Sequence, residues 1–430
     1  MKKILYTITL VALSHTCFAQ LTVTGQFRPR LEVFDGYEYL PSEHSKTDAY
    51  ISQRSRLNID YKNEKITTSL SFQDVRYWGE TGTTTNDKTI SLNEAWVKIN
   101  LGKKWDLKIG RQAISIDNQR LFGLRNWNQI AQKHDALTFN YNYNNLEISI
   151  ISAYNQNTKH SATNSELGTE YNSVAGYKNM ETFWLKKKWE NFWLGTIHVV
   201  DGQQDTTEHN HQYYRYTSGL MIGIDNGNNK VSIRGFYQTG KHYISQKLNN
   251  LNAFNLCANY NAKLNKNWNL NLGLEYTSGD DTKTKEYEGF DALYGNIETF
   301  NGYLGYFQQQ KQYSHHGFID ATLQLQFKPN TRTQYNATYH YFASQQDIYD
   351  GTKKLDNKYL GSELDLYAKI NFSPIIALDL GYCMMFGNNN LNIIQGGGHK
   401  NYGNYGYIQL DITPVFYKSP KKLLPGDDGL

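Results

Sequence analysis

Cysteine is scarce. Only Cys17, Cys257 and Cys383 occur in 430 residues, and Cys17 falls in the leader read below. Two remaining thiols exclude a disulfide framework and read as free, buried or lumenal groups. Long apolar runs are also missing: after the leader no stretch approaches the ~20 apolar residues of a membrane helix. Excess charge is absent too. The formal +4 falls to about +2 once Lys2 and Lys3 leave with the leader, which excludes a general nucleic-acid or polyanion binder and makes any charge effect local. No G-x-S-x-G, H-E-x-x-H, P-loop or paired-cysteine motif is present, and Gly396-Gly397-Gly398 opens no helix. His209, His211, His315 and His316 sit at loop or strand ends. Adjacent strand residues point to opposite faces, so neither a metal site nor another cofactor is expected.

What is present begins with residues 1–19, a secretory leader with Lys2 and Lys3, an apolar run over 4–13 and a small residue, Ala19, at its end. His15 is a poor residue for a lipoprotein site, which favours cleavage before Gln20 over a lipid on Cys17. Tyrosine (34), phenylalanine (19) and tryptophan (8) are abundant for a chain with 39% hydrophobic residues. The mean hydropathy of −0.66 is nonetheless low.

From residue 21 onward, segments alternate with period two. Residues 268–276 place Trp268, Leu270, Leu272, Leu274 and Tyr276 on one face against Asn269, Asn271, Gly273 and Glu275. Residues 21–34, 49–61, 319–327 and 363–372 repeat the pattern. A soluble sandwich buries the apolar face, whereas a membrane barrel turns it to lipid. Segments of about 9–13 residues suit tilted membrane strands.

The connections alternate as well. Short polar turns fall at 61–64, 100–103, 143–145, 189–191, 225–229, 265–267, 328–330 and 373–374. Longer ones fall at about 35–48, 77–88, 113–134, 155–179, 202–212, 240–250, 279–314, 343–360 and 387–402. Short turns on one rim and long loops on the other predict an all-β, transmembrane antiparallel β-barrel of about 18 strands over 20–417, with residues 418–430 as a tail. Aromatics at segment ends, such as Tyr141, Tyr143, Trp189 and Trp268, suit the headgroup level.

Eight of the eleven arginines lie between Arg28 and Arg125. Parity puts Arg28, Arg30, Arg54 and Arg56 on the polar faces of two neighbouring strands, where they form a positive ladder on the lumen wall. Residues 110–135 carry Arg111, Arg120, Arg125, Lys133 and Asp135 among Phe122, Leu124 and Trp127. A connection with both charge and bulk predicts a loop folded into the lumen, narrowing it and completing the ladder. Such a ring attracts anions. Glu32, Asp60, Glu94 and Asp135 are candidate carboxylate partners. If every arginine is consumed that way, the lumen is near neutral and the protein is a general diffusion porin. Arg76 follows Ile66, Thr68, Leu70 and Phe72 in parity, so it lines the lumen only where the strand bulges or ends. A barrel enzyme or adhesin using the 279–314 loop is a third reading.

The chain resembles the alginate-export family of outer-membrane barrels. The resemblance rests on Arg28-Pro29-Arg30-Leu31-Glu32, Gln53-Arg54-Ser55-Arg56-Leu57, Phe72-Gln73-Asp74-Val75-Arg76, Leu92-Asn93-Glu94-Ala95-Trp96, Ile109-Gly110-Arg111-Gln112 and Gln119-Arg120-Leu121-Phe122-Gly123 with Asn126-Trp127. It implies a monomeric porin of about 18 strands in the cell outer membrane, surrounded by lipid and lipopolysaccharide. It also implies an Arg/Lys-lined constriction passing small anionic solutes such as acidic saccharides. The chain departs from the family at Gln132-Lys133-His134-Asp135, where an arginine and an aromatic are usual.

Overall fold

The computed structural model describes residues 19–80, 83, 90–156, 176–205, 211–244, 247–280, 284–307 and 316–420. The expected leader up to residue 18, His209, His315 and the tail from residue 421 lie outside the described residues.

The chain forms a closed 18-strand antiparallel barrel. The strands are β1 (Gln20–Asp35), β2 (Asp48–Lys62), β3 (Ile66–Tyr77), β4 (Ser91–Asn100), β5 (Trp105–Gln112) and β6 (His134–Tyr143). Then follow β7 (Leu146–Tyr154), β8 (Asn179–Lys188), β9 (Phe192–Gln204), β10 (Gln212–Asp225), β11 (Asn229–Ile244) and β12 (Lys247–Lys263). The circuit ends with β13 (Trp268–Thr277), β14 (Phe318–Phe327), β15 (Thr333–Ser344), β16 (Tyr359–Ser373), β17 (Ile376–Gly387) and β18 (Tyr402–Ile412). Each strand pairs with the next, and β18 returns to β1 from Phe27↔Ile412 to Asp35↔Asn404. Beyond Pro414, Val415–Lys418 resumes pairing with Thr22, Val23 and Thr24. Proline has no N–H to give the ladder. Its carbonyl accepts from Gly25 N at 2.9 Å instead.

Burial is inverted relative to a soluble sandwich. Leu57, Leu70, Ile150, Leu220, Leu274 and Leu323 are exposed, while Arg28, Arg54, Thr182, Gln238 and Asp320 are buried. Apolar outside and polar inside is the wall of a membrane barrel. At the short-turn rim, rings pair across strands: Trp105 with Tyr141 at 4.4 Å, Trp189 with Phe192 at 5.5 Å, and Trp268 with Phe327 at 4.5 Å. Their amphipathic bodies fit the interface.

All eight predicted short turns connect strands. The connection predicted at 240–250 is instead a hairpin, because β11 and β12 pair as far as Ile244↔Lys247.

Two long connections turn inward, 113–133 after β5 and, after β13, one whose described residues 284–307 reach the lumen. Ile114, Ile116, Leu121, Phe122, Phe290, Ala292 and Tyr294 form one buried core with wall residues Met180, Trp184, Ile197, Val199, Met221 and Phe236. On this arc, apolar wall residues stand among buried polar ones such as Thr182, Arg215 and Gln238. A second core joins Leu304, Tyr306 and Phe307 to Leu40, Phe318, Phe342, Met385 and Leu391. Leu391 comes from the short helix Asn389–Ile394, capped by the Asn388 side chain. The barrel therefore encloses inward loops packed against its wall.

Candidate functional site: the lumenal constriction

A turn inside the lumen exposes carbonyls with no strand partner, and buried carbonyls need donors. The paired strands β1 and β2 supply them as arginine forks. Arg28 donates from Nη1 to Asn126 O (2.8 Å) and from Nη2 to Trp127 O (3.1 Å) and Asn128 O (2.8 Å). Arg30 donates to Trp127 O at 2.9 Å, lies 3.9 Å over the Trp127 ring and pairs with Glu32 at 2.9 Å. Arg54 reaches Asn128 O (3.2 Å) and Asn126 Oδ1 (3.1 Å) from Nη1 and grips Gln26 Oε1 with Nε and Nη2. Arg28 and Arg54 are direct register partners, so their heads converge. Three rungs of the predicted ladder thus hold the tip of the loop at 126–129. Within β5, Gly110 (φ +119) lies so close to β4 that a Cβ there would sit 2.2 Å from Ala95 O.

The second inward connection is stitched to the first. Gly123 N donates to Tyr294 O (2.9 Å), Tyr294 N to Leu121 O (3.0 Å) and Asn296 N to Gln119 O (2.9 Å). Arg125, itself at φ 45, donates to Gly295 O at 2.9 Å. Burial lowers the Arg125 pKa, opposed by the charges of Glu298 and Asp291. Arg120 is buried between Glu275 of β13 and Asn301.

Carboxylates on another arc of the wall anchor this connection. Leu304 N donates to Glu363 Oε1 (2.8 Å), Tyr303 N to Asp365 Oδ2 (3.2 Å), and Asn301 Nδ2 to Glu275 Oε2 (3.1 Å). Asp291 meets buried Arg215, which also forks onto Asp201 at 3.0 and 2.8 Å. In Asp291, burial raises the carboxyl pKa but the Arg215 and His242 charges outweigh it, for a net lowering. Arginines thus hold one loop by its carbonyls, while carboxylates hold the other largely by its N–H groups.

Arg56 and Lys133 are left facing the lumen beside that latch. Arg56 Nη2 donates to Gln73 Oε1 at 2.7 Å, and Lys133 Nζ to Asn93 Oδ1 at 2.9 Å. Neither makes an ion pair among the described residues. Glu94 is adjacent, accepting from Trp96 Nε1 at 2.9 Å. Burial, then the Arg56 and Arg111 charges, brings the Lys133 amine down to about 8. On the strand face of Glu94, Lys98 and Lys108 are register partners, with Lys108 4.0 Å over Trp96.

Arg111 and Asp135 do not join this group. They pair at 2.7 Å on the strand faces that carry exposed Ile109 and Leu137, and both are almost half exposed. Arg76 sits on the outer face with Phe72 and Asp74, bound to Asp74 at 2.6 Å. The register shift beside Phe72 adds its extra residue, Asn93, to β4, which leaves the parity of β3 unchanged. Sequence reasoning missed Asn93 and Gln73, which orient the two cations, and the anchors Glu363, Asp365 and Arg215. The visible signal for the anchors was parity: polar residues on lumenal faces opposite a long connection.

The pattern of a family described as alginate export matches residues 19–392. The chain belongs to the alginate-export family. It is an outer-membrane barrel of the porin and channel type. No curated protein sequence matches it. Among solved structures, OccK9 (OpdG) of Pseudomonas aeruginosa is similar with a TM-score of 0.61 at 12% identity, over 92% of this chain and 98% of that one. OccAB1 of Acinetobacter baumannii gives 0.61 at 9% identity, over 92% and 97%. OccK11 (OpdR) of Pseudomonas aeruginosa gives 0.56 at 9% identity, over 92% and 96%. At such identities the likeness is one of fold. In this member of the alginate-export family, Lys133 stands beside Asn93 and the arginine-held loop tip.

Proposed function

We propose that the protein is a passive outer-membrane channel for small anionic solutes, acidic saccharides among them. One observation carries the reading: Arg56 and Lys133 face the lumen on amide oxygens, with no carboxylate in ion-pair range among the described residues. A positive pair in a narrow, low-dielectric passage lowers the entry barrier for anions and raises it for cations. Lys98 and Lys108 extend the cationic line along the same wall. Arg28, Arg30 and Arg54 act indirectly, holding the loop tip that sets the width. In this reading lipid and lipopolysaccharide cover the outer band, one barrel is the working unit, and no chemistry or energy coupling is involved.

A weakly selective diffusion channel is the second reading. It is supported by the pairs Arg30–Glu32, Arg120–Glu275 and Arg215–Asp201, which cancel lumenal charge. Reversal potentials across a planar bilayer in a KCl gradient separate the two. The first reading expects chloride to be the more permeant ion, with Arg56→Gln plus Lys133→Gln shifting the preference toward potassium. Equal permeabilities in the unmodified protein establish the second.

A further inference from the structure

A chamber of about 280 Å³ lies where the two inward connections meet the wall. Trp127 enters from the first, Tyr303 from the second and Tyr37 from the β1–β2 connection, while Tyr367, Tyr405 and Tyr407 project from β16 and β18. The rings are set at angles: Trp127 meets Tyr407 edge-on at 5.7 Å and Tyr405 at 6.3 Å, and Tyr37 lies 5.0 Å from Tyr405. The volume is at the lower edge of small-molecule sites, roughly 300–1,000 Å³, and suits one ring.

Polar groups at the chamber are few and specific. Glu298 lines it and is only 7% exposed. Its Oε1 accepts from Asn128 Nδ2 at 2.6 Å, but its Oε2 has no hydrogen-bond partner among the described residues. A buried acceptor left open is costly, so this oxygen calls for an incoming donor. The Tyr37 and Tyr303 hydroxyls also make no hydrogen bond to described residues. Neither ionic class fits well. An anion meets Glu298, with Glu32 behind Tyr405 at 2.7 Å from its hydroxyl. A cation meets the Arg30 guanidinium already lying over Trp127.

We propose that this chamber is a binding subsite for one neutral pyranose ring, its C–H face on the aromatic rings and a hydroxyl donating to Glu298 Oε2. The inference deepens the saccharide part of the proposed function. It rests on the lumen being a solute path but not on its ion preference. A saccharide carrying both a sugar face and a carboxylate would use this chamber and the Arg56/Lys133 pair in turn.

The test is calorimetric titration of the detergent-purified full chain with methyl glucopyranoside, paired with single-channel recording in its presence. Binding and brief current interruptions are expected. Trp127→Leu and Glu298→Leu should each weaken binding about tenfold, the loss of one good contact. Trp127 is latched by its carbonyl, so its side chain can change while the loop stays held. Retained heat-modifiable mobility on gels establishes that each variant is a folded barrel. Arg56→Gln plus Lys133→Gln should leave sugar binding unchanged while altering reversal potential. The inference is overturned by no sugar binding, by undiminished binding in both Leu variants, or by tetramethylammonium or acetate binding more tightly than the sugar. Anion preference without sugar binding sinks the subsite alone, and sugar binding without anion preference sinks only the charge reading.

Discussion

Replacing Arg28 with methionine asks whether the β1 latch holds the constriction. Arg28 is 3% exposed and makes two short bonds, at 2.8 Å each, to the carbonyls of Asn126 and Asn128. Hydrogen bonds from a charged donor net about 1.5–3 kcal/mol each, so losing both costs about 3–6 kcal/mol. Water entering the lumen recovers part of this, and Arg54 still reaches Asn128 O. A net penalty of about 3 kcal/mol remains, roughly a hundredfold shift toward the undocked tip. Because Arg30 still holds Trp127 O, the tip should make excursions rather than leave. Single-channel recordings should therefore show a steady level in the unmodified protein and frequent steps to a higher conductance in Arg28→Met. Arg28→Lys, which keeps the charge but loses the fork, should fall between. A folded Arg28→Met barrel with an unchanged conductance histogram would refute the latch.

Other outcomes follow from the same geometry. Gly302 is at φ +85, and a Cβ there would lie 2.4 Å from Glu363 Oε2, so Gly302→Ala should loosen the second loop at a cost of about 1–3 kcal/mol, read as a lower gel-shift melting temperature. Arg120→Leu leaves Glu275 as a buried unpaired carboxylate and should cost about 3–5 kcal/mol in urea unfolding, whereas Arg120→Leu with Glu275→Leu should regain most of it. The Lys133 amine, brought down to about 8 by burial, is charged below that pH and neutral above. Chloride preference should therefore fall as pH passes from 7 to 9, and Lys133→Gln should flatten that pH dependence if Lys133 is its source.

The strands were legible because one face meets lipid and the other polar groups, a contrast written at every second residue, as in 268–276. The turns were legible from their chemistry. Alternation is a statement about contrast, however, and it is silent where both faces are apolar. Along β8–β12 the lumenal Trp184 and Met221 stand beside the outward Phe183, Leu220 and Ile222. These adjacent apolar residues line the part of the wall that receives the inward loops, but nothing local identifies their occupant. The lumenal parity of Arg28, Arg30 and Arg54 was readable. Their service as hydrogen-bond donors to a loop 72–100 residues later was not, since carbonyl acceptors carry no side-chain signature. Arg111 and Arg76 shared the composition of the ladder but stand on the outward parity.

The strand that closes the cylinder also holds the tip. β1 meets β18 along one edge and presents Arg28 and Arg30 to residues 126–129. Until β18 pairs with it, one edge of β1 is unpaired and the space beside its arginines is open on that side. Circularisation and the seating of the tip are then linked through one strand, β1. A barrel whose β1–β18 seam opens therefore loses the closed wall and loosens the strand that carries two of the tip's arginines.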